Sequence, residues 1–252
     1  MMFLEVENIS KNFEGIQALS EISFQLSKRE ILALIGPNGA GKTTFFNILS
    51  GIYLPTQGII KFKDSNIIGL KPYQITRFGI ARTFQNLRLF PQMTVIENIL
   101  SGFFHQTNYG ILDVIFKTKR FRQEEEKDIR YAYSIAEFIR LENKENELTR
   151  NLPYGEQKRL EIARALATKP SLLLLDEPTA GMNPKETEDM IELIKKIRED
   201  GVTIILIEHD MKVVMNISDR IIVLDYGEKI AEGKPEEIRM NEKVIEAYLG
   251  RK

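Results

Sequence analysis

Along most of the chain, short apolar runs of strand length alternate with segments of helical period, and the middle third breaks that pattern. Residues 2–7, 22–26 and 31–35 are apolar runs with strand composition and predict strands. A glycine-rich turn follows. Residues 42–49 then predict a helix, and residues 59–63 a further strand entered through Pro55, Gln57 and Gly58. From residue 94 to about residue 168 the pattern is helical and charge-rich, as in residues 124–140, and strand signals are scarce. The alternation then returns, with strands expected at 171–175, 202–207 and 220–224 and a helix at 184–199. Asn183 followed by Pro184 supplies an N-cap and a first-turn proline for that helix. Two short helical patterns, 235–240 and 242–249, close the chain. The class expected is α/β: one domain over residues 1–252, with a helical subdomain inserted at 88–168. No internal repeat or low-complexity stretch is visible.

Composition narrows the function classes. With 252 residues, 43% hydrophobic and 28% charged, the chain is long and apolar enough for a sizeable core. A net charge of −1 gives no electrostatic reason to expect nucleic acid as a partner. The absence of cysteine excludes disulfides, cysteine-ligated zinc and iron–sulfur clusters. No segment approaches the roughly 18 uninterrupted apolar residues of a membrane span. The first ten residues, with Glu5 and Glu7 inside the apolar stretch, do not read as a signal peptide. Any service to a membrane is therefore expected to run through partners.

Two constellations carry chemistry. Gly36-Pro37-Asn38-Gly39-Ala40-Gly41-Lys42-Thr43, with Thr44 following, matches the phosphate-binding P-loop pattern between a strand and a helix. Glycines let backbone N–H groups turn toward an anion, and the helix N-terminus adds a favourable dipole. Lys42 brings a positive charge to the β- and γ-phosphates, and the Thr43 hydroxyl suits Mg²⁺, a hard ion that prefers oxygen. The second constellation is the apolar strand ending in Asp176 and Glu177. Strand ends carry the chemistry of parallel sheets. Asp176 fits a Mg²⁺ contact through water, and Glu177 is placed to orient or deprotonate an attacking water. His209, after the strand 202–207, is a candidate γ-phosphate donor, whereas His105 has no such context.

Taken together these motifs resemble the ATP-binding subunits of ABC transporters, and the resemblance covers essentially the whole chain. It implies a P-loop ATPase core with an N-terminal antiparallel β-subdomain and an inserted α-helical subdomain. Phe13 resembles the aromatic residue that stacks on adenine. Gln85, in Thr83-Phe84-Gln85-Asn86, resembles the Q-loop glutamine that contacts Mg²⁺ and the attacking water. Leu152-Pro153-Tyr154-Gly155-Glu156 occupies the signature position, before a helix expected at 157–168. Asp176 and Glu177 match the Walker B pair, and His209 the switch histidine. Within the family, three stretches resemble branched-chain (hydrophobic) amino-acid importers: residues 82–98, the signature variant with Gln157, and the tail 244–250. The chain departs from the family's pattern at two positions: Pro153 stands where a serine is usual, and Asn183 where many relatives carry Asp.

The resemblance implies ATP and Mg²⁺ as ligands and a cytoplasmic place on the inner face of the membrane. It also implies a second ATP-binding subunit, identical or different, transmembrane permease subunits and, indirectly, a substrate-binding protein. ATPase subunits of lipid or lipopolysaccharide exporters are similar enough to form the alternative. A non-transport ABC ATPase is disfavoured by the single P-loop, by the lack of cysteine, and by an interval from Gln85 to Leu152 too short for a long coiled coil. Residues 109–122 juxtapose an apolar run with Lys117, Lys119, Arg120 and Arg122. They are read as a packed helix with a solvated basic end, or as a membrane or permease contact.

Overall fold

The computed structural model describes residues 3–106 and 118–249 and comprises two compact units. One is Met1–Arg82 with Ser171–Lys252; the other is Thr83–Pro170.

The first unit holds two sheets. Strands β1 (Leu4–Phe13) and β2 (Ile16–Leu26) form a hairpin whose turn residues Glu14 and Gly15 both have positive φ, as a tight two-residue turn requires. With β4 (Gln57–Phe62) and β5 (Ser65–Asn66) they make an antiparallel sheet in the order β2-β1-β4-β5. Both hairpin strands run further toward their turn than the sequence pattern predicts. Register shifts between Val6 and Ile9, Ile9 and Lys11, and Lys11 and Asn12 explain this, because each bulge interrupts the period-two alternation.

The second sheet contains β3 (Ile31–Ile35), β6 (Ile80–Arg82), β7 (Leu172–Asp176), β8 (Thr203–Ile207), β9 (Arg220–Asp225) and β10 (Glu228–Gly233), in the order β10-β9-β3-β8-β7-β6. All neighbours pair parallel except β9 and β10. Every residue of β3, β7 and β8 is buried, so these strands read in sequence as unbroken apolar runs. The polar β10 and the three-residue β6 lack that signal and escape a sequence reading. Ile207 of β8 stands opposite Leu34 of β3 on one side and Asp176 of β7 on the other. The carboxyl ends of these three strands therefore lie side by side. Helices α1 (Lys42–Leu49) and α6 (Pro184–Glu199) occupy the spans predicted for them. Asn183 caps α6 in a reciprocal capping box with Glu186. The shorter helices of this unit are α2 (Pro72–Phe78), α7 (Met211–Ile217), α8 (Pro235–Arg239) and α9 (Glu242–Leu249).

The second unit is helical: α3 (Val95–Leu100), α4 (Lys119–Phe138) and α5 (Tyr154–Leu166), with 3₁₀ turns at Ser101–Gln106 and Thr149–Asn151. The Asn98 side chain, fully buried, ties the unit together. Its amide donates to the carbonyls of Phe90 and Thr94 and to the Thr149 hydroxyl, and its oxygen accepts the Phe90 N–H. Helix α5 begins three residues before the predicted start. Pro153 takes the N-cap position with extended backbone and no side-chain cap. A proline there reads in sequence as a helix boundary that could lie on either side of it. Of residues 109–122, residues 109–117 lie outside the described residues, and Lys119 to Arg122 form the first turn of α4.

Candidate functional site

Two glycines of the loop between β3 and α1 cannot be replaced without collision. Gly36 has φ 146°, and a Cβ there would lie 2.0 Å from the Leu224 carbonyl oxygen. Gly41, the left-handed N-cap of α1, would place a Cβ 2.6 Å from the Ala18 carbonyl oxygen. Gly227, in the turn between β9 and β10, donates its N–H to the Ala40 carbonyl at 3.2 Å and accepts the Ser20 N–H at 2.8 Å. The loop is thus braced by β2 on one side and by the β9–β10 turn on the other. The Lys42 ammonium lies buried inside it and donates to the carbonyls of Gly36 at 2.6 Å and Pro37 at 2.9 Å. Burial pulls its pKa below the ordinary lysine value, while the carboxylates of Glu177 and Asp176 act in the opposite direction. No acidic side chain occupies the first turn of α1, whose N-terminus is left to an incoming anion. Thr43 is exposed and Thr44 half-buried beside it.

The ends of β7 and β8 bring the carboxylates to this loop. Asp176 is buried, and its Oδ2 accepts from Arg82 Nη2 at 3.0 Å. Arg82 is fixed in turn by Asn47 at 2.7 Å and Ser50 at 3.0 Å, both at the far end of the P-loop helix. Glu177 leaves the strand through left-handed backbone, φ 51°, while its N–H still donates to the Ile207 carbonyl at 2.9 Å. A non-glycine residue held there costs about 1 kcal/mol and marks a position whose direction the surroundings dictate. Glu177 Oε1 lies 2.7 Å from His209 Nε2, with the carboxylate largely buried and the imidazole half-exposed. Glu208 sits beneath them, buried. It accepts from the Thr179 N–H at 2.9 Å, the Thr179 hydroxyl at 2.6 Å and the His209 N–H at 3.0 Å. Arg82, Glu208 and Thr179 carry no motif of their own. The one hint was that Glu208 directly precedes His209 at a strand end.

Phe13 ends β1 in the antiparallel sheet. It packs edge-to-face on Tyr53 at 5.3 Å, with Lys11 Nζ 4.7 Å from its ring centre. Phe13 is 37% exposed. The other candidates belong to the helical unit. Gln85 lies in an irregular segment and accepts Lys158 Nζ on its carbonyl at 3.2 Å. Tyr154, Gly155 and Glu156 form the first turn of α5. Glu156 pairs with Lys144 at 2.7 Å, and Tyr154 is exposed.

A glycine-braced anion loop with a buried lysine, facing two carboxylates and a histidine on the next two parallel strands, defines a P-loop nucleotide site. The chain belongs to the ABC transporter family, whose model matches residues 19–180, and it is an ATPase of that class. A second model, branched-chain amino acid ATP-binding cassette transporter, matches residues 228–252. The chain is 47% identical over 248 residues to the high-affinity branched-chain amino acid transport ATP-binding protein BraF of Pseudomonas aeruginosa, covering 98% of this chain and 97% of that protein. Among solved structures, a nucleotide-free ATP-binding cassette from an ABC transporter superposes with TM-score 0.87 at 34% identity, covering all of both chains. A cassette captured as a dimer in a post-hydrolysis state with ADP and phosphate gives TM-score 0.77 at 28% identity, over 92% of this chain and 98% of that one. Among the described residues no helix is long and apolar enough to cross a membrane.

Proposed function

We propose that this chain is the ATP-hydrolysing subunit of a transporter that takes up branched-chain amino acids. Two such subunits, identical or different, would act on a membrane permease supplied by a substrate-binding protein, from the cytoplasmic face. The observation that carries the cargo class is the match to BraF over 98% of the chain, joined by the branched-chain model at residues 228–252. Both weigh toward uptake and against lipid export.

In this reading the backbone N–H groups of residues 36–44 and the Lys42 ammonium hold the phosphates, and Phe13 stacks on the base. Binding draws Lys42 from the Gly36 and Pro37 carbonyls onto the phosphate oxygens. Glu177 accepts a proton from water while the water oxygen attacks the γ-phosphorus. The bond from that phosphorus to the bridging oxygen breaks, and ADP leaves with the electron pair. His209, whose Nε2 lies against Glu177 before nucleotide binds, turns its N–H to the transferring phosphoryl group, which leaves the Glu177 carboxylate to the water. The hard oxygen donors Thr43 and Asp176 fit Mg²⁺, which supplies charge neutralisation of the phosphates when bound. Arg82 anchors one oxygen of Asp176, Oδ2. The roles of Gln85 at metal and water, and of Tyr154, Gly155 and Glu156 toward the partner subunit's nucleotide, rest on motif resemblance. Pro153 offers neither hydroxyl nor N–H. That contact therefore falls to the N–H groups of the first turn of α5.

The test is uptake of labelled leucine, isoleucine and valine by cells lacking the gene. Loss of uptake, restored by the wild-type chain and not by Glu177→Gln, is expected. Undiminished high-affinity uptake in the deletion strain would contradict the proposal.

A further inference from the structure

Helix α5 carries buried charges that the reading above leaves unused. Lys158 and Glu161 are each 3% exposed, and Arg164 follows at the same spacing of three, so all three lie along one ridge. Each ends on the same irregular segment, residues 84–88. Lys158 Nζ donates to the Gln85 carbonyl at 3.2 Å. The Arg88 N–H donates to Glu161 Oε1 at 3.3 Å, and the Phe84 backbone bonds to the same carboxylate. The Arg164 guanidinium donates to the Arg88 carbonyl. Arg88 lays its own guanidinium 3.9 Å from the centre of the Phe84 ring, closing the segment on itself. Residues 84–88 form no helix or strand, so their backbone groups must find partners elsewhere, and side chains of α5 supply them.

Packing does not explain a carboxylate at position 161. Burial pushes its pKa above the ordinary glutamate value, and the Arg88 and Phe84 backbone with Lys158 and Arg164 only pull it part of the way back. An apolar side chain of similar size would fill the space without that desolvation. What it could not do is accept two backbone N–H groups from the segment that carries Gln85.

We infer that Glu161 is a positioning residue which, with Lys158 and Arg164, fastens the backbone on both sides of Gln85 to the helix that opens with Tyr154, Gly155 and Glu156. Gln85 is thereby presented in one conformation. The segment bearing it and the start of α5 move as one body, so engagement of a phosphate at the helix start and orientation of water by Gln85 are set together. The inference rests on the hydrolytic role proposed for Gln85.

The test is a double-mutant cycle on the full chain, following ATP turnover, affinity for a fluorescent ATP analogue and thermal midpoint. Glu161→Gln keeps the shape but offers an N–H where a backbone N–H must be accepted. It is expected to lower kcat about tenfold, with KM for ATP and analogue affinity within about twofold of wild type and a midpoint still well above the assay temperature. Gln85→Ala is expected to be slow as well, and the double variant no slower than Gln85→Ala alone, because both changes act through one side chain. Wild-type turnover of Glu161→Gln beside a slow Gln85→Ala overturns the inference and leaves the role of Gln85 standing. Wild-type turnover of Gln85→Ala overturns both. Additive losses show that Glu161 acts elsewhere and also overturn it. Lys158→Met, which removes the bond to the Gln85 carbonyl itself, should repeat the non-additive pattern. It decides the matter if Glu161→Gln does not fold, and full turnover there is contrary.

Discussion

Glu177 is steered by three constraints at once: a left-handed backbone, an amide still bonded to β8, and a histidine 2.7 Å from its carboxylate. Exchanging it for glutamine keeps that geometry and removes the carboxylate proposed to accept the proton of the attacking water. Glu177→Gln is expected to bind ATP with near wild-type affinity and to lose about a hundredfold or more in kcat; single-turnover hydrolysis is the check, and near-normal turnover contradicts the role. Arg82 presents the opposite case. Its loss removes the ion pair with the buried Asp176, so Arg82→Ala should destabilise the fold by up to about 3–5 kcal/mol, read from denaturant unfolding. The positions of Asp176, Glu177 and His209 after apolar strands were legible in the sequence, and the strands lie where the apolar runs put them. Arg82 was not. A lone arginine acquires meaning only when strand order sets β6 beside β7, with Arg82 opposite Leu174.

At the scale of elements, the strand–loop–helix unit around Lys42 could be read almost residue by residue, because loop chemistry and helix start coincide. The weaker readings fell where local signals conflict. Bulges hid the far ends of β1 and β2, polar composition hid β10, and Pro153 obscured the start of α5. The bracing of the loop was not visible in sequence either, since Leu224 and Gly227 lie far along the chain. It has a direct consequence: Gly36→Ala drives a Cβ into the Leu224 carbonyl and should abolish nucleotide binding, measured by equilibrium titration. Helix α5 yields a pH prediction. The raised pKa of Glu161 contributes stability fully present below the unfolded glutamate value near 4.5, and that stability is lost as pH rises through the folded value. The wild-type thermal midpoint should therefore fall relative to Glu161→Gln over that window and run parallel to it above. A constant difference across pH would contradict the burial account.

At the scale of the whole molecule, one chain carries a P-loop in its first unit and, in its second, the sequence proposed to meet a partner subunit's nucleotide. Ligand that binds only the folded chain stabilises it by mass action, about 2.7 kcal/mol at a hundredfold excess over Kd. Wild-type chain should gain thermal stability with Mg-ATP, and Lys42→Ala should gain none. The cargo leaves no imprint on these residues, because an ATPase subunit touches nucleotide and permease rather than the transported molecule. The cargo class comes from full-length similarity and the C-terminal match. The most direct measurement is ATP turnover by this chain assembled with its co-purifying permease in vesicles, with the substrate-binding protein and each amino acid in turn. Leucine, isoleucine and valine should each stimulate turnover, and Glu177→Gln should abolish that stimulation. Turnover indifferent to all three, or stimulated by a lipid instead, would contradict the proposed function.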